Sequence, residues 1–153
     1  MKTRDAVLIA AIGISFLARP AACDQPFRII WHGTGGWGNK SAYCSLFDPR
    51  NVETIHGTIL SIDNVTPLPG MSQGVQVQLQ TAKETIPVHL GPRWYIENQD
   101  IDLEPQDTVQ VKGSRFACNG QIVMSAAEIR KGDEVIQLRD AKGRPLWTAR
   151  TPL

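Results

Sequence analysis

The sequence contains no Cys-X-X-Cys-His, so it has no attachment site for a c-type haem. It holds three histidines, His32, His56 and His89, and three cysteines, Cys23, Cys44 and Cys118, with none of the paired spacings of a zinc site. No apolar run reaches the roughly 20 residues that a membrane-spanning helix needs. Basic residues are not in excess either: 16 Lys and Arg stand against 15 Asp and Glu. Nucleic-acid binding draws most of its affinity from Lys and Arg neutralising phosphates, so this charge balance argues against a nucleic acid as main partner. There are no internal repeats.

What is present begins with an export-like leader. Lys2 and Arg4 form a basic head, Ala6 to Leu17 a short apolar stretch, and Pro20, Ala21 and Ala22 a break with small residues. This is the pattern of a secretory signal peptide, expected over residues 1–23. A lipid anchor on Cys23 is the lesser alternative, because Pro20 stands where a lipoprotein signal wants an aliphatic residue. Loss of the leader removes Lys2, Arg4, Arg19 and Asp5, which leaves 13 basic and 14 acidic residues. The expected location is the periplasm or the exterior.

Residues 24–50 form a glycine- and aromatic-rich lead-in without regular period, carrying Trp31, Trp37, Tyr43 and Phe47. These aromatics are either draped on the following domain or exposed for a partner. From residue 51 to 149 the pattern is that of strands. "VETIHGTILSID" is long, with Gly57 at an expected bulge. "GVQVQLQT" alternates through Val75, Val77 and Leu79, "TIPVHL" through Ile86, Val88 and Leu90, and "DTVQVKGSRFA" through Val109 and Val111. Asn119-Gly120 is a two-residue hairpin turn leading into "IVMSAAEIR". "EVIQLRD" and "RPLW" make a last extended segment. The expectation is an all-β fold: a five-stranded OB-like Greek-key barrel with one short helix between strands 3 and 4.

That helix falls in "HLGPRWYIENQ", residues 89–99. Pro92 suits a first helical position. Trp94, with Tyr95 or Ile96, can turn into the open end of the barrel as a plug, and a buried Trp is worth several kcal/mol. His89 alternates with Val88 and Leu90 and is expected to face outward. The competing reading is an acid–base site of His89, Tyr95 and Glu97. No serine or cysteine nucleophile stands beside them, so the plug is preferred and no catalytic residue is assigned.

In an oxidising compartment Cys44 and Cys118 invite a bridge, which would close a loop of about 75 residues for about 4 kcal/mol. A free Cys44 that pairs with another protein, or a Cys23–Cys44 bridge, are the alternatives. His32 and His89 are weak metal candidates, and no cofactor is expected. The central strands display Gln and Thr rather than the aromatic stack of a single-strand binder.

As an ordered set, "YCSLFDPRNVETIHGTI", "PLPGMSQGVQVQL", "HLGPRWYIENQDIDLEPQDTVQVKGSR" and "AAEIRKGDEVIQLRDAKGRPLW" resemble small secreted bacterial proteins related to the OB-like domain of the magnetosome MamS/MamX family. The resemblance covers about residues 42–147 and implies a periplasmic β-barrel module linked to redox or iron handling. Family members of the MamX kind carry haem through Cys-X-X-Cys-His, which is missing here, so the haem role does not transfer. The function expected is non-enzymatic: binding of a partner protein or small ligand through Trp31, Trp37, Tyr43, Trp94 and Tyr95. The second expectation is a metal- or haem-associated redox accessory using His32, Cys44 or His89.

Overall fold

A computed structural model describes residues 34–150. The chain is mostly β, with six strands in one sheet: β1 Val52–Val65, β2 Gly74–Gln80, β3 Thr85–Pro92, β4 Thr108–Cys118, β5 Gln121–Lys131 and β6 Glu134–Gln137. One helical turn, α1 Arg93–Ile96, lies between β3 and β4. The sheet order is β3-β2-β1-β4-β5-β6, and β3 also pairs with β5. That last pairing is short and parallel, Val88 with Met124 and His89 with Ser125; the others are antiparallel.

β1 is long because it serves two neighbours. Its first half, Val52 to Thr58, pairs with β4, and its second half, Thr58 to Val65, with β2. The changeover needs a close approach at Gly57, where a Cβ would stand 2.4 Å from the Gln80 carbonyl oxygen. The register shift expected at Gly57 lies instead between Ile59 and Ser61. The β4–β5 hairpin turns on Asn119 and Gly120 at φ +52° and +73°, the left-handed pair that matches strand twist.

The alternating aliphatics fill the interior: Val77, Leu79, Val88, Val109, Val111 and Ile129 are buried, with Ile59, Met124 and Leu138. On β3 the alternation fails. Every residue from Ile86 to Pro92 is buried, so His89, expected outside, is 2% exposed. The reason is a second layer: Tyr43 stacks on the His89 ring at 5.9 Å and Phe116 meets it edge-on at 6.0 Å. The segment before β1 is therefore part of the packing, and Trp37, Tyr43, Cys44 and Phe47 are all buried.

Pro92 is the residue before α1 rather than its first residue, with an extended ψ of 139°. Tyr95 is the buried member of the turn, while Trp94 and Ile96 are partly buried against the core. Further cover over β2 and β3 comes from outside α1. The Trp37 ring occupies the space above Gly74, where a Cβ would fall 2.3 Å from it, and Trp147 similarly lies on Gly91. The Trp147 indole N–H donates to the Trp37 carbonyl at 2.8 Å, and the Trp37 indole N–H donates to the Ser72 carbonyl at 3.0 Å.

Candidate functional site

The structure brings four of the expected aromatics into contact. Trp37 meets Tyr43 at 4.8 Å and Trp147 at 6.2 Å, Trp147 meets Tyr95 at 5.7 Å, and Tyr95 meets Trp94 at 6.1 Å. They form a packed cluster, not a display. Trp37 is 0% exposed and Tyr43 2%, so neither offers surface to a partner, and the anchoring role expected of them gives way to a core role. Alternation could not reveal this, because the lead-in has no period and its aromatics fit either reading. Trp31 and His32 lie outside the described residues.

Beneath the aromatics runs a buried polar chain. The Tyr43 hydroxyl lies 3.0 Å from His89 Nδ1, and His89 Nε2 lies 3.1 Å from Gln76 Oε1. A neutral imidazole satisfies both neighbours: its Nε2–H donates to the amide oxygen and Nδ1 accepts from the phenol. Burial enforces that state, since desolvation brings the His89 pKa down to about 4 and pushes that of the Tyr43 phenol well above its ordinary value. Both ring nitrogens are thus engaged in hydrogen bonds.

Ser125 continues the polar layer toward Arg139, a residue that sequence reasoning missed. Arg139 is 3% exposed and sandwiched between the rings of Phe47, 4.6 Å away, and Trp147, 5.5 Å away. Its Nη1 donates to the Gly143 carbonyl at 2.9 Å and its Nη2 to Ser125 Oγ at 3.3 Å. An arginine directly after a buried Leu138 carries no sequence signal of burial, because neighbouring strand residues normally face opposite ways.

The expected Cys44–Cys118 bridge is not formed, because Cys44 is a free, buried thiol. Its S–H donates to the Trp37 carbonyl at 3.4 Å, whereas the Cys118 sulfur lies 3.7 Å from the Pro67 carbonyl oxygen, in a different neighbourhood. Among the described residues no group of three or more His, Cys, Asp or Glu could hold a metal. The three groups of the acid–base reading have separate partners. His89 bonds Tyr43 and Gln76, the Tyr95 hydroxyl reaches the Gln137 carbonyl at 3.4 Å, and Glu97 pairs with Arg93.

One open cleft adjoins α1, with a volume of about 380 Å3. Ile62, Val75, Ile96, Ile101 and Leu103 give it an apolar floor, and Asp63, Arg93, Glu97 and Asp102 a charged rim. The end of β1, the start of β2, α1 and the segment leading to β4 all contribute. Apolar floors with a few oriented polar groups, at this size, are the usual form of ligand sites. The site was missed in the sequence because its residues come from four separate stretches. Ile101 and Leu103 stand in "DIDLE", which carries no strand or helix signal.

No helix among the described residues is long and apolar enough to cross a membrane. No curated protein matches the sequence. The model of the MamS/MamX magnetosome protein family matches residues 51–136, from the start of β1 into β6. That span holds β1 to β5 whole, most of β6 and more than half of the chain, so this protein belongs to the MamS/MamX magnetosome protein family.

Proposed function

We propose that the protein is a non-catalytic binding module of the periplasm, an accessory in redox or iron handling, and that its docking surface is the cleft beside α1. The framework proposed is an OB-type Greek-key barrel. The pairings β1–β2, β2–β3, β3–β5, β5–β4 and β4–β1 lead back to their start, with α1 between β3 and β4 as that topology requires. The observation that carries the binding reading is the cleft itself: a concave apolar floor of Ile62, Val75, Ile96, Ile101 and Leu103 under a polar rim. The non-catalytic reading draws support from the engaged state of every candidate acid and base. His89 is closed in by Tyr43 and Gln76, and Glu97 is held by Arg93.

The test is capture of a partner from periplasmic extract by immobilised protein, with small molecules retained by the protein analysed alongside. Ile101→Ser and Leu103→Ser, on residues partly buried against the core, should abolish retention of partner or ligand in protein shown by its far-UV circular dichroism to be folded. Ile122→Glu, on a residue 52% exposed and away from the cleft, should change nothing. Equal retention by wild type and both cleft variants would overturn the assignment.

A further inference from the structure

We propose that a second cavity, walled by the turn from Phe47 to Pro49 and by β4, β5 and the residues after β6, is a small-carboxylate site built on Arg139. The cavity measures about 350 Å3, and Arg139 is one of its walls. The reasoning starts from an imbalance. A buried guanidinium is costly unless an anion or a full set of acceptors accompanies it. Arg139 is 3% exposed, yet no carboxylate among the described residues lies within ion-pair distance of it. Its partners are the neutral Gly143 carbonyl, Ser125 Oγ, the Cys44 sulfur at 4.0 Å and two aromatic faces. Its Nε–H is buried with no acceptor among the described residues.

The other charged groups on the cavity do not answer this need. Asp140 is held by the Arg144 side chain at 2.7 Å and by the backbone N–H groups of Lys142 and Arg144. Glu128 receives the Gln137 amide at 2.7 Å and pairs with Arg130. Lys112, the second cation lining the cavity, adds positive charge at its edge. A carboxylate supplies what is missing, a negative charge and an acceptor for Nε–H, and Arg is the side chain best matched to it. Nε is closed to solvent, so an anion that reaches it displaces part of the packing between the cavity and the guanidinium. This site is separate from the cleft beside α1 and stands or falls without it.

Titration calorimetry of the full chain with sodium acetate, against sodium chloride at equal ionic strength, tests the proposal, with sodium phosphate as a second probe. Acetate should bind saturably, and Arg139→Gln should weaken it at least about tenfold, the loss expected for a hydrogen bond to a charged group. Ala127→Leu narrows the cavity from a buried wall residue while keeping the arginine, and it should weaken acetate comparably. If Arg139→Gln does not fold, Ala127→Leu decides. Acetate heats no different from chloride, undiminished affinity in Ala127→Leu, or tighter binding of phosphate than of acetate would each overturn the proposal.

Discussion

Lowering the pH from about 7.5 to about 4.5 should cost the fold about 2.5 kcal/mol through His89 alone. In the unfolded chain this histidine titrates at its ordinary value of 6.5, and in the folded protein burial brings it down to about 4. Between those values the unfolded state takes up a proton that the folded state refuses, so stability falls as the pH drops through 6.5 and levels off only below about 4. Nothing near the ring offsets the charge, since its neighbours are the Tyr43 phenol, the Gln76 amide and the Phe116 ring. Asp48, Glu84, Asp107 and Asp140, each held below the usual carboxylate range by a basic side chain or backbone N–H groups, lose stability in the same direction. Their loss begins about one pH unit above the ordinary carboxylate pKa, at about pH 5, so it overlaps the lower end of the series, and the comparison with a variant lacking the imidazole isolates the histidine. Urea unfolding followed by tryptophan fluorescence gives the free energy at each pH, with an unchanged slope as the check on two-state behaviour. His89→Gln removes the titration, so its profile should be flat above about pH 5.5 and keep only the smaller carboxylate loss below that. Parallel profiles for wild type and His89→Gln would refute the reasoning, because the buried neutral imidazole would then contribute no linkage.

Two further outcomes follow from the same packing. Trp37→Ala should cost about 3–5 kcal/mol in urea unfolding, because it empties a fully buried site and removes the donor to Ser72; a loss under 1 kcal/mol would show that the indole is not structural. Gly74→Ala should destabilise by about 1–3 kcal/mol, since the new methyl group meets the Trp37 ring at 2.3 Å, and the double variant with Trp37→Ala should recover part of that loss.

Period-2 alternation located five strands to within about two residues at most ends, because it reports burial on one face of a half-covered sheet. The Asn119-Gly120 turn was equally legible, since only a few residue types accept two left-handed positions in succession. His89 was misplaced for the same reason that the strands were found. Alternation assumes that the other face is wet, and β3 is covered on both. The covering residues, Trp37 and Tyr43, sit in a stretch with no period, where identity alone cannot distinguish an aromatic that packs from one that waits for a partner. The Cys44–Cys118 pairing rested on the count of cysteines, which carries no geometry. Arg139 could not have been singled out, because its burial depends on Phe47, far from it in the sequence, as well as on the nearer Trp147.

The lead-in also bears on where a partner can dock. In the OB-type barrel proposed here, the outer face of strands 2 and 3 and the loop joining strands 1 and 2 are the usual ligand surface. In this protein the chain itself occupies part of both. Trp37 lies on Gly74 of β2, Tyr43 bonds His89 of β3, and the Ser72 N–H donates to the Gly35 carbonyl at 2.8 Å. Trp147, from beyond β6, completes the cover over Gly91. The family match begins at residue 51 and ends at 136, so it contains neither tryptophan. The matched segment accordingly supplies the strands, while its flanks decide which of their surfaces stay open. With the Gly74, His89 and Gly91 end of that face covered by Trp37, Tyr43 and Trp147, the concavities beside it are those that the flanks leave uncovered or help to build. Those are the cleft beside α1 and the Arg139 cavity, the latter walled in part by Phe47 and Pro49.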